Sequence, residues 1–245
     1  MKKSIMVISL LLAMLLIAAC SSNGGQGAAY SDTNSYQSSI DNASNNYSDS
    51  TQAKTNLPIY KNGSPVSSAS SLSLYDVVTF GSYPQSSFGG DSAIEWYVIS
   101  KDGSRVKLMS RYALDSKQYH TSNSAVTWQG SSLYNWLNRD FKEKAFNSEE
   151  QRMIQSSITL LSRSEANSLP NEYRICTSTS YAVSCGGDQN RCIWWLSDFS
   201  GTVYFSDGTA GNCASAVMET GEIGYDGFQV NFSHKYVRPV IVVNF

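Results

Sequence analysis

The sequence predicts an α+β fold with its helices grouped together, and three observations support this. Runs such as DVVTFGSYPQ, IEWYVISKDGSRVKLMSRYAL, GTVYFSDG, FQVNF and YVRPVIVVNF are rich in β-branched and aromatic residues and punctuated by Gly and Asp. That is the composition of short strands joined by tight turns. Two stretches in the middle, SSLYNWLNRDFKEKAF and NSEEQRMIQSSI, repeat their apolar residues at helical spacing instead. Strands precede and follow this pair rather than alternating with single helices, which argues against a βαβ order.

The chain opens MKKSIMVISLLLAMLLIAACSS. Lys2 and Lys3 are a basic leader, and the apolar run that follows is shorter than the ~20 residues a spanning helix needs. It ends IAAC, with small Ala18 and Ala19 before a cysteine, the pattern of a bacterial lipobox. The expectation is a lipoprotein signal peptide over 1–19, cut to leave Cys20 lipidated and the chain anchored in a bilayer. Ser21 follows Cys20, so in a host with two membranes the outer one is expected. The predicted localisation is the cell envelope, outside the cytoplasm.

Residues 20–71 then read as a Ser-, Asn- and Gly-rich tether, too poor in large aliphatics to offset chain entropy. Asn62-Gly63 within it marks a turn between two short apolar runs, either a small hairpin or the end of the tether. The globular domain is expected over 72–245.

Within it, KDGSR at 101–105 reads as a hairpin turn between strands at about 94–100 and 105–110. The first helix takes Ser131 or Ser132 as N-cap and buries Leu133, Trp136, Leu137, Phe141 and Ala145. The second takes Ser148 and Gln151 as a capping box, with Glu149 and Glu150 at its positive end and Met153 and Ile154 facing the core. GTVYFSDG reads as a strand following the WWL strand, turning at Asp207-Gly208.

Cys176, Cys185, Cys192 and Cys213 are an even set in a domain expected outside the cytoplasm, which reads as two disulfides. Three connectivities are open, and sequential closure favours Cys176–Cys185 with Cys192–Cys213. A zinc site is disfavoured, because zinc ribbons place two to four residues between paired cysteines and the gaps here are longer.

The ordered strings VTFGSYPQ, IEWYVI, VKLMSRYALDSKQYH, TWQGSSLYNWLNRDFKEKAF, ITLLS, TSYA, WWLSD and YVRPVIVV resemble a bacterial domain family of unknown function found in surface and secreted proteins. The resemblance runs over residues 76–245. It implies an architecture similar to C-type lectins and formylglycine-generating enzymes, with β-sheets, two helices and a long loop region. It also implies that WWL is a buried strand. Since neighbours on a strand face opposite sides, one tryptophan is expected in the core and the other at an interface or under the long loop. Ser197 stands where the family carries Arg, and Tyr236 where it commonly carries Gly; both are expected near the surface of the site. The family supplies no catalytic residue to carry over.

The full chain holds 18 basic and 20 acidic residues. Loss of Lys2 and Lys3 makes the mature chain more acidic, which argues against nucleic acid as a partner. No G-x-S-x-G, P-loop or H-E-x-x-H pattern occurs, so no enzyme activity is expected. No cofactor is expected either. Calcium would need six to eight oxygens, and Asp188, Asn190, Asp198, Asp207, Asn212, Glu219, Glu222, Asp226 and Asn231 are scattered. The expected role is a surface module binding an extracellular glycan or protein, with Trp194, Asp198, Tyr204, Asp207 and Tyr225 as candidate contacts. The alternatives are a structural envelope lipoprotein and a cryptic hydrolase.

Overall fold

The computed structural model describes residues 59–231 and 235–245, apart from the Tyr225 side chain. The leader, Cys20 and residues 21–58 lie outside the described residues, as does His234. Folded structure begins earlier than the expected boundary at 72. Ile59, Val66, Ala69 and Leu72 are buried, and β1 (Tyr60–Lys61) pairs with β2 (Ser64–Pro65) across Asn62-Gly63. Both turn residues hold positive φ, 51° and 76°, the conformation a two-residue hairpin turn demands. A short 3₁₀ turn at Ala69–Ser71 follows.

β3 (Val77–Pro84), β4 (Asp91–Asp102) and β5 (Arg105–Ser110) form an antiparallel meander, as the KDGSR turn predicts. β6 (Asp115–Lys117) leads to the helical region. There α1 (Ser132–Trp136) runs through a π-helical turn (Leu137–Phe141) into α2 (Lys142–Ala145), and α3 (Ser148–Met153) follows. Three short helices come next: α4 (Arg163–Ser168), α5 (Asn171–Arg174) and α6 (Ser180–Ser184). The chain ends in β7 (Trp194–Tyr204), β8 (Ala210–Val217), β9 (Ile223–Gln229), β10 (Lys235–Val237) and β11 (Val240–Asn244).

The strands make two sheets, ordered β11-β5-β4-β3-β1-β2 and β6-β10-β7-β8-β9. All pairs are antiparallel except β10 with β7. The fold is therefore α+β with two open sheets.

The first helix buries Leu133, Leu137, Phe141 and Ala145 as expected, while Trp136 is half-buried. Its close approach to β3 depends on Gly81. That residue sits at a bulge with φ +68°, and a Cβ there would lie 2.6 Å from Phe146 and 2.7 Å from the Ala145 carbonyl. The capping of α3 is shifted by one residue. Asn147, not Ser148, accepts from the Glu149 and Glu150 amides, and Glu150 closes the box.

Trp194 and Trp195 are both fully buried, in different core clusters. The strand alternation that separates them puts each into its own core, because both faces of β7 are covered at its start, over Trp194–Leu196. Nor are WWL and GTVY successive strands: they are one strand, β7, with register shifts between Trp195 and Gly201. Tyr236 is likewise buried rather than near the surface. Its ring lies on Gly187, where a Cβ would come within 2.2 Å, and its hydroxyl donates to the Asp188 carbonyl at 2.8 Å.

Candidate functional site

The β7–β8 hairpin projects Tyr204, which is 80% exposed. The turn beyond it is built locally. The Phe205 amide donates to the Thr209 carbonyl at 2.8 Å, the Gly208 amide to the Phe205 carbonyl at 3.0 Å, and Gly208 takes φ +83°. The Asp207 carboxylate accepts from the Thr209 hydroxyl at 2.6 Å and its amide at 2.9 Å, an Asx turn. Those two bonds hold its carboxyl below the usual carboxylate range, so Asp207 is an anionic acceptor at neutral pH.

Beside the turn lies a cleft of about 350 Å³ between the hairpin tip and β9. Phe205 and Phe228 give it apolar surface; Ser206, Asp207, Thr209 and Gln229 supply polar groups. Lys235 backs the floor, its Nζ 4.1 Å from the centre of the Phe228 ring. A few convergent polar groups on an aromatic floor suit a hydroxyl-rich or peptide ligand.

Of the five expected contacts, Asp207 lines the cleft, and Tyr204 is exposed at the end of β7, one residue before the lining Phe205. Trp194 is in the core and donates to the Arg174 carbonyl at 3.1 Å. Asp198 turns away too. Its carboxylate accepts from the Arg163 amide at 2.5 Å, at the start of α4. Tyr225 lies on β9, and its side chain is outside the described residues. Phe228 and Gln229, which reach the cleft from β9, were missed.

A second polar cluster surrounds buried Asp115. It accepts from the Tyr83 hydroxyl at 2.8 Å and the Ser116 amide at 2.7 Å, and pairs with Lys117 at 3.2 Å. Burial and Asp115 push the Tyr83 phenol far up. Burial and Cys185 push the Tyr181 phenol to about 12. Cys185 itself is pushed up by burial and by Asp115, which is the opposite of what activates a thiol. His120 Nδ1 faces the Ser132 amide and hydroxyl at 3.2 and 3.0 Å. This cluster ties β3, β6 and α6 together.

All four described cysteines are free thiols. The expected Cys176–Cys185 and Cys192–Cys213 disulfides are not formed; Cys176 lies in the smaller core cluster and Cys192 packs against that cluster. Cys213 is buried in β8 with the Gly211 carbonyl 3.5 Å away. Among the described residues no three His, Cys, Asp or Glu side chains converge as metal ligands, and no helix is long and apolar enough to cross a membrane.

A family model described as "Domain of unknown function (DUF6273)" matches residues 103–185. That segment begins in the β4–β5 turn and ends at Cys185, so it takes in β5, β6 and all six helices. No curated protein and no solved structure matches the chain.

Proposed function

We propose that the chain is a membrane-anchored envelope lipoprotein whose C-type-lectin-like domain binds an extracellular or envelope glycan or protein through the tip of the β7–β8 hairpin. The observation that carries this reading is Tyr204, a large aromatic 80% exposed next to an aromatic-floored cleft. Exposed aromatics held on rigid strands lose little entropy on binding and are frequent anchors of contacts. Asp207 adds a fixed carboxylate acceptor alongside. The lectin-like part of the reading is supported by the order of the sequence motifs and the α+β layout, and the anchor by IAAC at residues 17–20.

A glycan array probed with the purified protein tests the ligand class. Retained glycans should lose binding in Tyr204→Ala and Asp207→Ala, while Asp198→Ala still binds. An array signal untouched by either tip substitution would refute the hairpin as the site. The anchor is tested separately: Cys20→Ala should leave the membrane fraction or accumulate as uncleaved precursor, and normal retention with normal processing would refute it.

A further inference from the structure

The edge of a sheet exposes a row of backbone donors and acceptors, and proteins shorten, charge or cover such edges. Among the described residues the two sheets have four edges, and three are treated in this way. β2 is two residues long and contains Pro65. β6 has three residues, with Asp115 paired to Lys117. β11 is bridged on its outer side by Ile154 and Thr159, and Thr159 exchanges two backbone hydrogen bonds with Val240, at 2.8 and 2.9 Å. β9 is the exception. It runs seven residues, IGYDGFQ, at the end of the second sheet, and among the described residues only β8 pairs with it.

The ladder determines which β9 groups face outward. Antiparallel strands alternate hydrogen-bonded with non-hydrogen-bonded pairs. The Met218 amide donates to the Glu222 carbonyl at 2.8 Å, and the Val230 amide to the Asn212 carbonyl at 2.9 Å. One step inward from each of those bonds, Val217 opposite Ile223 and Cys213 opposite Gln229 are non-hydrogen-bonded pairs. The N–H and C=O of Ile223 and of Gln229 therefore point away from β8, and among the described residues no turn or loop backbone group bonds to them. The strand carries one edge device, a bulge. Gly227 sits there with φ +68°, where a Cβ would collide with the Ala214 carbonyl. Both ends of the strand stay open on either side of it.

We propose that β9 is a strand-addition site, at which an extended, basic peptide segment of a partner protein pairs with the free edge and sets an apolar side chain into the Phe205–Phe228 cleft. The proposal rests on the hairpin-tip reading and narrows its ligand to a peptide. In this mode main-chain hydrogen bonds supply affinity and a side-chain pocket supplies specificity. Phe228 and Gln229 belong to both the edge and the cleft lining, so one extended chain reaches both. Charge selects the partner. Asp226 is exposed in the bulge and Asp207 lines the cleft, while Lys235 is buried against the Phe228 ring. The two carboxylates favour Lys or Arg on the incoming segment. They also disfavour a second copy of this chain. Antiparallel pairing of two β9 edges through Ile223 and Gln229 centres on Asp226 and sets two carboxylates opposite each other, which is destabilising.

The test pans a phage-displayed library of random heptapeptides on the full chain held in detergent. Selected peptides should share a basic residue and a large apolar one. Each is then synthesised in two forms, methylated on one or the other alternate set of backbone nitrogens. One form should bind about tenfold more weakly, the scale of a lost backbone hydrogen bond, while the other, with its methyls facing solvent, keeps its affinity. Gln229→Pro removes an outward donor without touching the β8 ladder and should weaken the peptide similarly; Asp226→Lys should weaken it most at low salt. Should Gln229→Pro fail to fold, the methylated peptides decide, since they leave the protein unchanged. Tyr204→Ala probes the hairpin-tip reading with the same peptides: unchanged binding refutes the tip, whereas equal binding of the two methylated forms refutes strand addition. Selection of no peptide above background would overturn the proposal, as would a full-chain dimer that Gln229→Pro dissolves, which would give the edge to a second copy.

Discussion

Asp198 and Asp207 show how far a residue's type alone determines its role. Both are acidic residues in the Trp194–Gly208 stretch, and both are plausible ligand contacts from sequence. The structure commits Asp198 to the first amide of α4 and Asp207 to its own turn. Asp198→Ala should therefore cost about 1 kcal/mol, the value of a lost helix-terminal acceptor, measured by urea denaturation, with ligand binding unchanged. Arg238 is the more demanding case. Its removal takes the guanidinium donor from the buried Ser110 carbonyl and from the part-buried Tyr173 and Arg111 carbonyls, and a buried acceptor left unsatisfied costs about 1–3 kcal/mol. Arg238→Ala should lower stability by about 3 kcal/mol or more. Arg238→Lys should rescue little, since an ammonium cannot span three acceptors in a planar fork. A loss below about 1 kcal/mol for Arg238→Ala would contradict this account of VRP. The motif was visible in the sequence, but nothing there tells a buried arginine from an exposed one: its three partners lie far from it along the chain.

The first helix was legible by its period and α3 by its capping residues, whereas α4, α5 and α6 were not read from the sequence. Leu133, Leu137, Phe141 and Ala145 recur over enough turns to declare a helix. α4, α5 and α6 have four to six residues each, too few for a period to register. α4 nevertheless carried a readable signal, Ser162 and Glu165 three residues apart. They form a capping box, with Glu165 also paired to Lys107. Burial raises the Glu165 carboxyl, but Lys107 and Ser162 outweigh it, and the net shift is downward from 4.5. A carboxyl lowered in the folded state stabilises above its unfolded value and loses that contribution as pH falls through the folded one. Glu165→Gln should thus be less stable than the parent by about 0.5 kcal/mol at pH 7, the scale of a partly exposed ion pair, and the two should converge as pH falls below 4.5; thermal melts across pH check this, and a constant gap would contradict it. The contact between Gly187 and Tyr236 gives a further prediction at this scale. A methyl on residue 187 has no room beside the Tyr236 ring, so Gly187→Ala should cost about 1–3 kcal/mol by overpacking. Tyr236→Gly in the same chain should relieve the clash, though it loses the ring's own burial.

At the scale of the whole molecule, the α+β class followed from composition and the order of segments, whereas the sheet topology did not. No local pattern says that β10 inserts parallel to β7, or that β11 returns to the edge of the first sheet beside β5. Those pairings depend on contacts between distant segments. They are also why the stretch that supplied most of the expected contacts is built into the second sheet, with its two tryptophans in separate cores. What is left of that stretch for a ligand is the hairpin tip. The most direct measurement of this claim is an equilibrium titration of intact cell envelopes with the wild-type protein and with Tyr204→Ala, both shown first to melt at the same temperature. Truncating an exposed anchor should weaken binding by about 2 kcal/mol, roughly thirtyfold. Equal affinity of the two proteins at equal stability would contradict the account.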